Sequence, residues 1–250
     1  VGLPGSSVRA ARFNPEPKGD ARLPMSTVEL YRQSMELLVE AIRSGHAGED
    51  DSKGYSLSAY PALRERQLAI RAFALANDAL VRRVLESASD VEHRQAAAHL
   101  LGYARPSKAQ IAALVRASFD RDEIVRNNAV RALAVIAGSD RQAAREIRAD
   151  RYVSLLSSGS WTDRNKGLFL LETLSRRRDA KLLGLLRSSA LDAVVEMARW
   201  QAPGHAKTAR LLLGRIAGIE ESALQRLVDA GDVDTIVGRL RDGARIRQGR

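Results

Sequence analysis

At 250 residues, 45% of them hydrophobic and 28% charged, the chain carries enough apolar side chain for one large domain or two small ones and is not compositionally disordered. With no cysteine it has no disulfide framework, no thiolate nucleophile and no cysteine-based zinc site. The formal charge of +10 points toward an acidic partner such as nucleic acid, yet its make-up of 34 arginines to 6 lysines is also what a GC-rich genome produces without selection for binding.

Aromatic residues make up only 4% of the chain, and its apolar share is mostly Ala and Leu, which favour helices where β-branched and aromatic residues favour strands. The expected fold is all-α. No run approaches the roughly 18 uncharged apolar residues of a membrane span. The opening VGLPGSSVRA lacks the apolar core of a signal peptide. Because the chain opens on Val1, a processed leader or a longer parent protein is expected, which leaves the compartment open between cytoplasm and periplasm or secretion.

Residues 1–25 carry Pro4, Pro15, Pro17 and Pro24 with several glycines, which excludes a continuous helix and predicts an extended arm along the first helices. Residues 26–59 follow as a capping segment. Ser26 or Thr27 should cap a helix running to about Ser44, with Val28, Tyr31, Met35, Leu38 and Ile42 at helical spacing. The loop after it, GHAGEDDSKGYS, holds His46, Glu49, Asp50, Asp51 and Tyr55. Its carboxylates are oxygen donors suited to Ca²⁺ or Mg²⁺, but three in a row cannot all point inward and the EF-hand alternation is absent. His46 with Asp50 is an acid/base pair lacking a nearby nucleophile. The competing expectation is a connector whose aspartates cap the next helix and whose glycines allow turns.

From residue 60 to 219 a repeat emerges. RQLAIRAF from Arg66, RQAAAHLL from Arg94, RNNAVRAL from Arg126 and RNKGLFLL from Arg164 place a small residue three positions on and a large apolar one seven on. KTARLLLG from Lys207 does so only if its register slips by one to Ala209. The starts are 28, 32, 38 and 43 residues apart, the length of a helix pair with a variable loop. Partner helices are expected at 106–118, 142–157 and 180–200, the last broken near Ser188 and Ser189. Positions +3, +6, +7 and +10 share one face, so Ala129, Ala132, Leu133 and Ile136 should form a buried stripe. Residues 220–250 are expected to add a last helix from Asp232 and a basic tail.

This pattern resembles the HEAT repeat, in the bacterial form seen in phycocyanobilin-lyase-type HEAT-like repeats. The match lies in the spacing of Asp90 with Arg94 and Asp122 with Arg126; Ser160 and Pro203 take the acidic position in later copies, so the ladder should fade. The resemblance implies a right-handed α-α superhelix of about five helix pairs, of HEAT/armadillo type. Asp90, Asp122 and Ser160 are natural N-caps, and Arg94, Arg126 and Arg164 are expected as ladder residues.

Outward positions of the same helices give a second candidate. Gln67, Gln95, Asn127 and Asn165 at +1, with Arg71, His99 and Arg131 at +5, would line a groove for an acidic or extended peptide, unless the amides bond between repeats. HEAT-like DNA glycosylases offer a resemblance of architecture, for which Trp161 and Asp163 have the right residue types but no second aligned aromatic. P-loop, HExxH and GxSxG motifs are absent, and four scattered histidines do not suit a metal centre. The expectation is a monomeric, non-enzymatic scaffold without cofactor or metal that binds a protein or peptide. The alternatives are a nucleic-acid binder and an accessory domain of a longer chain.

Overall fold

A computed structural model describes residues 12–248, with side chains for residues 12–240. The first eleven residues, and the side chains of the predicted basic tail, lie outside that range. Helices dominate in two compact units, one spanning Arg12–Ile147 and the other beginning at Arg148.

In the Arg12–Ile147 unit, α1 (Met25–Arg43) leads through a short antiparallel hairpin, β1 (Glu49–Asp50) and β2 (Leu57–Ser58), into α2 (Pro61–Ala76). Then come α3 (Asp78–Ser87), α4 (Val91–Leu101), α5 (Lys108–Ala117), α6 (Glu123–Ser139) and the short α7 (Arg141–Glu146). Helices α2, α4 and α6 pack as an inner layer and α3, α5 and α7 as an outer one. The stripe of Ala129, Ala132, Leu133 and Ile136 is buried as its spacing requires. The earliest copy is out of register: Leu63, Gln67, Ile70 and Ala74 face inward while Ala69 is exposed, because Leu63 and Ile70 set the apolar stripe that α2 buries.

The first helix also differs from expectation. Pro24 occupies the N-cap position, no side chain caps α1, and Ser26 and Thr27 lie inside it. Its buried residues are Thr27, Val28, Tyr31, Ser34 and Ala41, while Ile42 is exposed. Residues 12–24 run along the ends of α3 and α5. Asn14 N–H donates to the Phe119 carbonyl at 2.7 Å, Gly19 N–H to the Ser87 carbonyl at 2.7 Å, and Ser89 N–H back to the Gly19 carbonyl at 2.8 Å. A Cβ on Gly19 would lie 2.6 Å from the Ser87 carbonyl oxygen, so the strap can approach this closely only as glycine.

From Arg148 the chain forms a 3₁₀ segment (Ala149–Ser157), α8 (Trp161–Ser175), α9 (Ala180–Ser189), α10 (Leu191–Ala198), α11 (Pro203–Ile216), α12 (Glu221–Asp229) and α13 (Val233–Gln248). The helix expected over 142–157 is thus two pieces, α7 and the 3₁₀ segment, interrupted at Ile147 and Arg148. The helix expected over 180–200 breaks at Ala190, close to the predicted serines. The slip by one in α11 is real: Ala206, Ala209, Leu213 and Ile216 are buried while Arg210 is half-buried. Gly167 is the small residue of α8, and a Cβ there would sit 2.9 Å from Leu155 Cβ, so its size sets how closely α8 packs on the 3₁₀ segment. No described helix is long and apolar enough to cross a membrane.

Candidate functional site

The arginine ladder is built from the turns upward. Asp90 caps α4 by accepting from Glu92 and His93 N–H, and Asp122 caps α6 by accepting from Ile124 and Val125 N–H. Arg94 does not pair with either cap. Its Nε and Nη2 donate to both oxygens of Asp120 at 3.0 and 3.2 Å, and its Nη1 donates to the Ala88 and Ser89 carbonyls. This pair is buried, with side chains 2% and 8% exposed, and its donors are nearly all used. Arg126 donates to the Asp120 and Arg121 carbonyls and lies over the Phe13 ring at 4.1 Å. Ser160 makes no capping bond to α8, because its Oγ faces Thr162 Oγ1 at 2.7 Å. Arg164 donates to the Leu156 carbonyl and to Glu196, and its guanidinium lies 5.2 Å from the Trp200 ring.

The residues expected in the groove separate. Gln67 and Asn165 are buried rather than outward, and Asn165 belongs to the second unit. Helix phase explains the amides: Gln67 Oε1 accepts from Ser58 N–H at 2.6 Å, and Gln95 Nε2 reaches the next cap, Asp122, at 3.1 Å. Asn127 donates to its neighbour Asn128 at 3.1 Å. Gln67 and Gln95 therefore serve packing between elements.

Arg71, His99 and Arg131 do converge, from α2, α4 and α6. His99 and Arg131 line a cavity of about 20 Å³, water-sized, together with Tyr55, Ser56, Tyr103 and Asn128, and Arg71 lies behind it against Tyr55 and the Tyr103 carbonyl. Ser56, Tyr103 and Asn128 of this lining, and the nearby Tyr31, are missing from the sequence-based site. Tyr31, His99 and Tyr103 form an aromatic row with ring centroids 5.4 and 5.3 Å apart. Asn128 Nδ2 donates to the Tyr31 hydroxyl at 3.2 Å and to the Gln95 carbonyl at 3.1 Å. The Asn127–Asn128 dipeptide was the available signal, and only the phase of α6 decides which amide turns inward. Burial, reinforced by the Arg131 charge, pushes the His99 imidazole down to about 3, so it is neutral at pH 7. Its Nε2 is buried without a hydrogen-bond partner. Burial pushes the Tyr103 phenol up, and Gln67 lies near its hydroxyl outside hydrogen-bond geometry.

The acidic loop is laid on this opening as the hairpin. Glu49 accepts from Arg131 Nη2 at 2.5 Å, and Arg71 stands over the Tyr55 ring at 3.7 Å while donating to the Tyr103 carbonyl at 3.0 Å. Burial opposes the charge on Arg131, but Glu49, Tyr103 and Asp51 outweigh it and hold its pKa up. Asp50 and Asp51 cap the hairpin itself and not α2: Asp50 accepts from Ser52 N–H at 3.0 Å and Asp51 from Ser56 Oγ at 2.5 Å. His46 is exposed and faces Ser44 Oγ at 3.2 Å, with no contact to Asp50. Among the described residues no three acidic or histidine side chains gather as a metal site.

The second unit has its own surface. Trp161, 53% exposed, lies near-parallel to Trp200, with interplanar angle 26° and centroids 6.5 Å apart, and meets His205 edge-on at 5.0 Å. Asp163 is buried and accepts from Ser158 Oγ at 2.8 Å, so it does not face a groove.

No protein-family model matches this chain, and no curated protein matches it. Solved structures do. One engineered protein is 19% identical, with 86% of this chain and 94% of that one covered at a TM-score of 0.50. A second engineered protein, also 19% identical, covers 73% of this chain and 54% of its own at 0.51. A computationally designed armadillo repeat protein for modular peptide recognition is 18% identical, covering 86% and 92% at 0.49. At such identities the likeness concerns the fold alone, and it is the paired, layered helices of each unit that make it a helical repeat of the HEAT/armadillo class.

Proposed function

We propose that the chain is a monomeric, non-enzymatic repeat scaffold that binds a peptide segment of a partner protein on the inner faces of α2, α4 and α6. The observation that carries this reading is that Arg71 of α2 and Arg131 of α6 each meet a side chain of the hairpin beside one opening, which His99 of the intervening α4 lines. Two cations held two repeats apart on a stacked helical surface suit the side chains of an acidic peptide. The bacterial HEAT-like form is the variant whose Asp/Arg spacing the repeats follow, and the same face would serve an accessory domain of a longer chain. A random peptide library displayed on phage and selected on the immobilised chain should enrich binders that are lost at least tenfold on R71E/R131E, with far-UV circular dichroism unchanged. Binders retained in full by that folded variant would remove this face.

A second reading, nucleic-acid binding, is favoured by one observation: the exposed Trp161 near-parallel to Trp200, with Arg164 beside it, is a stacking surface next to a cation. Labelled single-stranded DNA should then raise its fluorescence anisotropy on titration at near-physiological salt, with at least fivefold weaker binding to W161A. Binding that vanishes with salt, or is indifferent to W161A, argues against it.

A further inference from the structure

The hairpin contributes two side chains to the arginines of the opening, and they differ in chemistry. Glu49 supplies a carboxylate to Arg131, and Tyr55 supplies an aromatic face to Arg71. Between them lie exposed or half-buried residues that bond within the hairpin: Asp50 to Ser52, Asp51 to Ser56, and Gly54 N–H to the Asp51 carbonyl at 3.0 Å. Gly54 abuts Ser139 at the end of α6, so the hairpin crosses from α2 to α6. Its two arms are held differently. Ser56, Leu57 and Ser58 are buried and anchored on α2 through Gln67, whereas Glu49 and Asp50 form an exposed pair whose ladder partner is the inner arm.

We infer that residues 49–55 are an internal stand-in for the ligand: the opening recognises a peptide bearing a carboxylate and, about six residues on, an aromatic side chain, and the tethered hairpin competes with it. The inference rests on the peptide-binding reading of this face. The Arg131 and Glu49 side chains are half-buried, 24% and 25% exposed, so a peptide that displaces Glu49 is favoured when it brings an anion of its own. The same holds at Arg71, where a displaced Tyr55 leaves a guanidinium face that an incoming aromatic ring covers. Two details mark the hairpin as an incomplete occupant. His99 Nε2 is buried without a partner, and the cavity beside it is bounded by Tyr55 and Ser56 of the hairpin. A peptide with a further polar group at that depth would satisfy the imidazole, which is neutral and offers one donor and one acceptor nitrogen. Tethering raises the hairpin's effective concentration to about the millimolar range, so a free ligand must be the better partner or the outer arm must first let go.

The test uses a fluorescein-labelled peptide with the sequence of residues 48–56, GEDDSKGYS, and the full chain as wild type and as E49Q/Y55A, with helicity checked by circular dichroism. The peptide should bind E49Q/Y55A at least tenfold more tightly than wild type. Adding R131Q, or changing the peptide's own glutamate to glutamine or tyrosine to alanine, should weaken binding at least tenfold. If E49Q/Y55A loses helicity, E49Q alone takes its place. Equal binding to wild type and the opened variant, or indifference to the peptide changes, overturns the inference. Should library-selected peptides still require Arg71 and Arg131 while binding wild type and E49Q/Y55A alike, the stand-in falls and the groove survives. Failure of the hairpin peptide together with an absence of arginine-dependent library binders brings down both.

Discussion

In the Arg12–Ile147 unit, the arginine in the first turn of an inner helix reaches an aspartate in the following turn; in the second unit the equivalent arginine reaches a glutamate on a helix. Arg94 meets Asp120, whose backbone is fixed and whose Oδ1 also accepts from Asp122 N–H at 2.9 Å. Arg164 meets Glu196 of α10 at a half-solvated position, with side chains 14% and 37% exposed. Burial acts against the charge on Glu196, yet the bonds from Arg164 and Trp200 hold its carboxyl below the usual range. The deep ion pair of the second unit lies elsewhere. Arg215, near the end of α11, donates to Glu172 at 2.8 Å, to Ser175 at 3.0 Å and to Glu221 at 2.6 Å. The contrast teaches that a ladder is defined by where an acid can be buried and fully bonded, and the motif position of the arginine is only one way to reach it.

Removing the arginine should separate the two arrangements. R94A leaves Asp120 buried without its counter-charge and should lower the unfolding free energy by about 3–5 kcal/mol. R164A leaves a glutamate that water already reaches and should cost about 1–2 kcal/mol. Urea unfolding followed by circular dichroism measures both, and equal losses would erase the distinction.

The histidines sharpen it further. His99 is neutral when folded, with its pKa pushed down to about 3, against an ordinary value of 6.5. Below pH 6.5 the unfolded chain therefore binds a proton that the folded chain refuses. The stability is fully present above that pH and is lost as the pH falls toward 3, by up to about 1.4 kcal/mol per pH unit. Burial, with the Lys166 charge, also lowers His205, which is less enclosed. Urea midpoints between pH 7 and pH 5 should flatten on H99N and flatten less on H205N. An equal effect would mean that the two sites are equally dry.

Most of the repeat was legible because burial follows period: Ala97 and Leu101, Ala129 and Leu133, and Gly167 and Leu171 are all buried at the spacing read from the sequence. What escaped was phase and distance. Helix α2 buries the stripe through Leu63 and Ile70, so that Gln67 turns in and Ala69 turns out, and a pattern aligned on Arg66 carries no sign of that. Asp120 lies two residues before the motif aspartate, and Arg215 lies at the wrong end of its helix; both pairings span dozens of residues. The hairpin posed the same difficulty. EDDSKGYS has the charges of a cation loop, and only the placement of Arg131, 82 residues on from Glu49, shows which cation it meets.

The strap of residues 12–24 carries a metric consequence. It is held through main-chain groups at Asn14 and Gly19, which grip the turns that end at Phe119 and Ser87 in adjacent repeats. Five residue steps separate those grips, and an extended chain covers about 3.3 Å per residue, or roughly 17 Å. The segment thus works as a ruler laid across one repeat. The Asn14 side chain adds a bond to the Arg116 carbonyl at 2.8 Å, but the number of residues between the two backbone grips is fixed by the pitch of the stack. A single residue gained or lost between the two grips would put one of them out of reach of its turn.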